Sequence, residues 1–235
     1  MKPLPSALLV ITDRHQARLS IVTIAEAVGQ AGGRWLMLRD KDLEPAQRRS
    51  LAARLAEIAR RHGMHLSVSR DVALAAECGA SVHLQCAAAV GAVRPHLAPG
   101  ALIGASAHGL DDVAAAAAAG ADYVTLSPIF LTSSKPGYGP ALGIGAIELA
   151  ASLGIAVIAL GGLTAHLVRP CLAAGAAGVA VMGEIMRSDN PGRVVGGLLD
   201  ACKAAPLRTP IDRAELDAKT RQHQSGGQDG FDCTS

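Results

Sequence analysis

Aromatic side chains are scarce in this chain: Phe, Trp and Tyr together make up 2% of its 235 residues. Stacking platforms for single-stranded nucleic acid are therefore nearly absent. No charge of one sign dominates either, since 22 basic and 20 acidic residues leave a formal charge of +2. The pairs Arg48-Arg49 and Arg60-Arg61 fall on a helical pattern and read as a solvated helix face rather than a nucleic-acid stripe. No unbroken apolar run reaches the roughly 18 residues of a membrane span. The apolar part of residues 1–9 is too short for a secretory signal. The five cysteines are odd in number and form no C-x-x-C pair, which argues against a disulfide framework and a zinc ribbon. Buried thiols in a reducing, cytoplasmic setting are expected instead. Nucleic acid and membrane drop out as partners, a small molecule remains, and a homo-oligomer is left open.

Half of the residues are apolar, so a large core is expected, packed with Ala, Val, Leu and Ile. Short, almost continuously apolar runs at 7–12, 34–39, 65–70, 81–85, 102–106, 123–127, 156–160 and 178–182 read as strands buried on both faces. Longer helical patterns alternate with them at 21–31, 45–61, 72–78, 88–97, 110–119, 144–152, 165–174 and 192–203. Eight strand signals alternating with eight helix signals predict a single (β/α)8 TIM barrel over residues 1–205. An open doubly wound sheet is the alternative, but Thr12-Asp13-Arg14-His15 stands where its glycine-rich fingerprint belongs. Residues 206–235 are polar and aperiodic and read as a short disordered tail.

In such barrels chemistry gathers at the carboxyl ends of the strands. Strand seven closes with Leu160-Gly161-Gly162-Leu163-Thr164 and strand eight with Val181-Met182-Gly183-Glu184. Paired small-residue turns on these two strands predict a phosphate site built from backbone N–H groups at Gly161, Gly162, Met182 and Gly183. Strand two ends in Arg39-Asp40-Lys41, two cations suited to an anionic substrate. Strand five ends in Ser106-Ala107-His108, where a histidine can shuttle protons near neutral pH. His83 lies within a strand run and reads as a core histidine, while His15 is a reserve candidate at the mouth. The loop 127–139 reads as a lid in which Thr132, Ser134 and Lys135 supply donors to anionic oxygens.

Over about residues 7–203 the chain resembles the thiamine phosphate synthase and thiazole tautomerase family. The resemblance rests on the order and spacing of several runs: Ile11-Thr12-Asp13-Arg14, Leu38-Arg39-Asp40-Lys41, Gly79-Ala80-Ser81-Val82-His83-Leu84 and Gly104-Ala105-Ser106-Ala107-His108. Ala121-Asp122-Tyr123-Val124, the loop from Ser127 to Lys135, Ala159-Leu160-Gly161-Gly162-Leu163 and residues 174–182 complete it. The resemblance implies a thiazole phosphate as ligand. It implies either magnesium-assisted coupling to a pyrimidine methyl diphosphate or metal-free proton transfer within a thiazole. The chain departs from the synthase pattern at Met37, where glutamine is expected, and at Ser69 and Arg70, where asparagine and aspartate are expected. Gln85 is retained, but Ala88 replaces a second aspartate. With both magnesium carboxylates gone, the pattern predicts a metal-independent thiazole tautomerase-like isomerase that needs no cofactor. His108 would be its acid/base, and Arg39 and Lys41 would hold a carboxylate or polarise the ring. The alternatives are a synthase with divergent ligands, its Mg2+ held chiefly by the diphosphate, and a non-catalytic phosphate-ligand-binding regulator.

Overall fold

The computed structural model describes residues 2–131 and 140–204. The expected tail at 206–235 and the lid residues Thr132, Ser134 and Lys135 lie outside them. Eight parallel strands close into a barrel in chain order: β1 (Leu8–Ile11), β2 (Trp35–Leu38), β3 (His65–Ser69), β4 (Ser81–Leu84), β5 (Ile103–Ala107), β6 (Tyr123–Leu126), β7 (Ala156–Leu160) and β8 (Gly178–Val181). Each lies within a couple of residues of its expected run, because a strand covered on both faces has little polar interruption to blur it.

Side chains alternate across the sheet. One set, including Leu8, Val10, Leu36, Leu38, Val82 and Val124, packs outward with the helices into one continuous core. The other set fills the lumen, where Leu9, Ile11, Trp35, Met37, Leu102, Tyr123, Ile158 and Ala180 form a second, smaller cluster. The lumen is therefore a packed interior and not a channel.

The covering helices are α1 (Ile21–Gln30), α2 (Pro45–His62), α3 (Val72–Glu77), α4 (Val90–Val93), α5 (Leu110–Ala118), α6 (Gly143–Ala151), α7 (Ala165–Ala173), α8 (Gly183–Met186) and α9 (Pro191–Lys203). Local chemistry sets their ends. The Ser20 hydroxyl accepts the Thr23 N–H at α1, and Gly63 closes α2 in left-handed geometry at φ 61°. The fourth helical stretch differs from expectation. Only α4 is α-helical there, flanked by 3-10 turns at Ala87–Ala89 and Arg94–His96. Gly91 weakens this stretch and Pro95 removes a backbone donor. The extra one-turn α8 follows β8 at a glycine that reads in the sequence as a plain turn. Among the described residues no helix is long and apolar enough to cross a membrane.

Candidate functional site

The first two strand ends are stapled to each other before either meets a ligand. The Thr12 hydroxyl donates to Asp40 Oδ2 at 2.6 Å, the Arg14 N–H donates to Asp40 Oδ1 at 2.6 Å, and the Arg39 N–H donates to Thr12 Oγ1 at 2.9 Å. Asp40 is thus a buried structural carboxylate, 3% exposed, that fixes where its neighbours Arg39 and Lys41 emerge. The Arg39 guanidinium reaches Asp13 at 3.4 Å. His15 is turned outward onto Asp42 at 2.6 Å. Arg14 and then His15 hold the Asp42 carboxyl well below its ordinary range.

A cavity of about 540 Å3 opens at the ends of β7 and β8. Its wall includes Arg39, Gly161, Gly162, Met182, Gly183 and Glu184. The loop after β6 is laced to β7, with Ile129 N–H on Leu160 O at 2.9 Å and Phe130 N–H on Gly161 O at 3.2 Å. This gives the glycines a structural reason besides ligand approach. Gly162 sits at φ 64°, and a Cβ there would come within 2.5 Å of the Leu131 carbonyl oxygen. No described backbone carbonyl takes the N–H of Gly161, Gly162 or Leu163, which leaves these donors for an anion.

Sequence reasoning missed Glu184. Its Oε2 is buried without a hydrogen-bond partner among the described residues. Burial raises the carboxyl above its ordinary value, and His166 and Arg187 oppose that shift. A carboxylate in the wall of this cavity has no sequence signal in a run that otherwise reads as small and apolar.

Across the lumen a polar chain runs between the strands. The Trp35 indole N–H donates to Ser67 Oγ at 3.0 Å. The Tyr123 hydroxyl lies 3.2 Å from His83 Nδ1, and His83 Nε2 lies 3.1 Å from Ser106 Oγ and 3.3 Å from Thr125 Oγ1. Every partner of the His83 ring is a hydroxyl that can donate or accept, so a neutral ring is satisfied in either tautomer. Burial lowers its pKa to about 4. His83 is the core histidine expected from its place inside a strand, and Ser106 is its upper neighbour.

His108 is held from two sides. Asp112 accepts its backbone N–H at 2.7 Å, and its Nδ1 lies 2.9 Å from the Ser127 carbonyl oxygen, which makes Nδ1 the protonated nitrogen. The ring thereby ties the end of β5 to the end of β6, and it is not part of the wall of the β7–β8 cavity.

No group of three His, Cys, Asp or Glu side chains that could hold a metal occurs among the described residues. Asp71, the one carboxylate near the departed positions, caps α3 by accepting the Leu74 N–H at 3.0 Å and takes Arg48 at 3.0 Å. The residues present do not fit the magnesium ion that the resemblance implies for coupling.

Fold and mouth together define a (β/α)8 barrel with a cavity over its last two strands. The sequence profile of the family described as thiamine monophosphate synthase matches residues 8–185. The thiamine-phosphate synthase of Methanoculleus marisnigri is 37% identical over 202 residues, covering 84% of this chain and 96% of the relative. That of Mycobacterium bovis is 36% identical over 212 residues, covering 84% and 95%. A thiamine phosphate pyrophosphorylase structure from Pyrococcus furiosus superposes with a TM-score of 0.75 at 24% identity, over 83% of this chain and 95% of that one. The chain belongs to the thiamine monophosphate synthase family. This corrects the isomerase expectation: the relatives that share over a third of its residues along nearly their whole length carry the synthase name. Two lost carboxylates weigh less than the similarity of the rest of the barrel, and the acid/base role expected of His108 belonged to the isomerase reading.

Proposed function

We propose that the protein is a thiamine-phosphate synthase, joining a thiazole phosphate to hydroxymethylpyrimidine diphosphate. The observation that carries this reading is similarity to proteins of that name over almost their full length. The ring nitrogen of the thiazole supplies the electron pair of the new C–N bond and becomes positively charged. The C–O bond to the diphosphate breaks, and its electron pair leaves with the diphosphate oxygen.

The roles of this chain's residues follow from charge. The thiazole phosphate sits at the β7–β8 turns, on backbone donors of Gly161, Gly162, Met182 and Gly183. Arg39 and Lys41 stabilise the negative charge that grows on the departing oxygen, which is where fixed cations contribute most to rate. Ser106, aligned by His83, supplies a hydroxyl donor between the two anionic groups. Thr132, Ser134 and Lys135, outside the described residues, are assigned the role of further donors to anionic oxygens. The four described cysteines are free thiols, which suits a reducing compartment, and we place the protein in the cytoplasm.

Incubating the purified protein with both substrates and following thiamine phosphate by thiochrome fluorescence tests the assignment. Formation of thiamine phosphate together with one equivalent of diphosphate is expected. No product where a reference synthase turns over would overturn it.

A further inference from the structure

Strands β2 and β3 are neighbours, with Leu38 level with Val68, so the residues that follow them emerge side by side at the mouth. Arg39 and Lys41 follow β2, and Arg70 follows β3. Neighbouring arginines nearby are neutralised: Arg14 by Asp42, Arg48 by Asp71 and Arg49 by Glu77. Neither the Lys41 nor the Arg70 side chain makes a hydrogen bond or ion pair with a described residue. The acidic groups facing the cluster are already engaged, Asp13 by Arg39, and Asp42 by Arg14 and His15. Lys41 registers the crowding: its ammonium is held below its ordinary value first by burial and then by the charges of Arg70 and Arg39.

Arg70 is also the one non-glycine residue with positive φ among the described residues, at 66°. Its N–H is fixed on the His83 carbonyl at 2.8 Å, and the next N–H, of Asp71, turns back onto Ser69 O at 2.9 Å. A charged side chain is thus kept on a left-handed turn that glycine would occupy without strain. Lys41 and Arg70, held beside Arg39 with no ion-paired acid of their own, form a site that an anion stabilises.

We propose that Arg70, with Arg39 and Lys41, forms a cradle that binds the substrate's diphosphate directly, in place of a protein-held metal ion. The identity of the anion rests on the synthase reading above. The cradle itself rests on the three cations and on a donor set without carboxylates to spare. A guanidinium suits this task because its paired N–H groups match two phosphate oxygens at once.

Calorimetric titration of the full chain with inorganic diphosphate, in chelator and in Mg2+, tests the proposal apart from turnover. Saturable binding in chelator is expected, within about threefold of that in Mg2+. Removing one charge-assisted contact should weaken it by about tenfold or more. Arg70→Gly is the informative variant, because glycine keeps the left-handed backbone while removing the guanidinium and its stem; Arg70→Lys should retain most of the affinity. Binding seen only with Mg2+, or an Arg70→Gly protein that binds as the parent does, would overturn the cradle. Coupling activity that strictly needs Mg2+, with no diphosphate binding in chelator, removes the cradle and leaves the synthase. Diphosphate binding in chelator without any coupling removes the synthase and leaves the cradle.

Discussion

The two sides of the barrel interior are built from different materials. Around β1, β2, β7 and β8 the lumen is lined by Leu9, Ile11, Met37, Ile158 and Ala180. Around β3 to β6 it carries buried Ser67, Ser69, Ser81, His83, Thr125 and Ser127. The apolar lining has no polar side chain of its own, so the β7–β8 cavity offers backbone N–H groups, with Arg39 reaching its wall from the end of β2. The polar side has side chains in plenty, but they satisfy one another. A hydrogen bond spent inside the lumen holds the strands in place and is not available to a ligand, apart from Ser106 at the top. Binding is therefore expected from the backbone on one side and from the free cations of β2 and β3 on the other.

The largest effect should come from breaking the polar side where it is tightest. A Cβ on Gly104 would lie 2.2 Å from Tyr123 Cζ and 2.6 Å from His83 Nδ1, both on fully enclosed rings. Gly104→Ala should therefore lower the unfolding free energy by about 3 kcal/mol, the upper end of the usual cost of overpacking, as measured by urea denaturation.

Next comes the pH response of the same network. His83 titrates at about 4 in the folded protein because it is buried, so between its ordinary pKa and that value the unfolded chain binds the extra proton. Stability should be fully present above about pH 6.5 and fall as pH drops toward 4, by at most about 1.4 kcal/mol per pH unit from this group. His65, also lowered by burial, acts in the same direction. Urea midpoints from pH 7 to 4.5 check this, and His83→Gln should flatten the slope; an unchanged slope would remove His83 as its cause.

The apolar side is tested by a matched pair of glycines. Gly162 and Gly143 both have positive φ, at 64° and 73°, but a Cβ on Gly143 meets nothing within 4 Å. Gly162→Ala should weaken thiazole phosphate binding by about tenfold, because Leu131, Phe130 and the cup must shift. Gly143→Ala should cost only the backbone strain of about 1 kcal/mol and leave affinity unchanged. Equal affinities in the two variants would show that the cup lies elsewhere.

The smallest effect concerns Glu184. Replacing the carboxyl with Glu184→Gln should tighten thiazole phosphate binding by about threefold at pH 8, with less gain at pH 5, because burial raises the carboxyl above its ordinary value. A titration at the two pH values reads the difference.

Much of this barrel is legible in the sequence, because strands sheathed by helices appear as apolar runs and helix ends carry their own glycines and hydroxyls. The cavity at β7 and β8 is legible through Gly161, Gly162 and Gly183, since small residues at strand ends leave room there, although Gly161 and Gly162 also make way for the loop after β6. What stays hidden depends on distance along the chain. Asp40 reads as one charge among three and proves to be the staple between β1 and β2. His108 reads as a reactive histidine because it ends a strand, and its contact with the Ser127 carbonyl 19 positions away has no local signal. Arg70 reads as a lost ligand, and its left-handed backbone, which a side-chain pattern does not record, marks it as a placed charge.

That left-handed turn has a consequence for how such barrels diversify. Glycine, asparagine and aspartate are the residues that tolerate this geometry best. A carboxylate could replace the guanidinium at position 70 without disturbing the turn or the β3–β4 pairing. With Ala88 standing at the place of the second carboxylate, recruiting a divalent ion and dispensing with one would then lie about two substitutions apart, one of them at this strand end. The same backbone can host either solution to an anion's charge, so closely related chains can differ in metal requirement while superposing strand for strand.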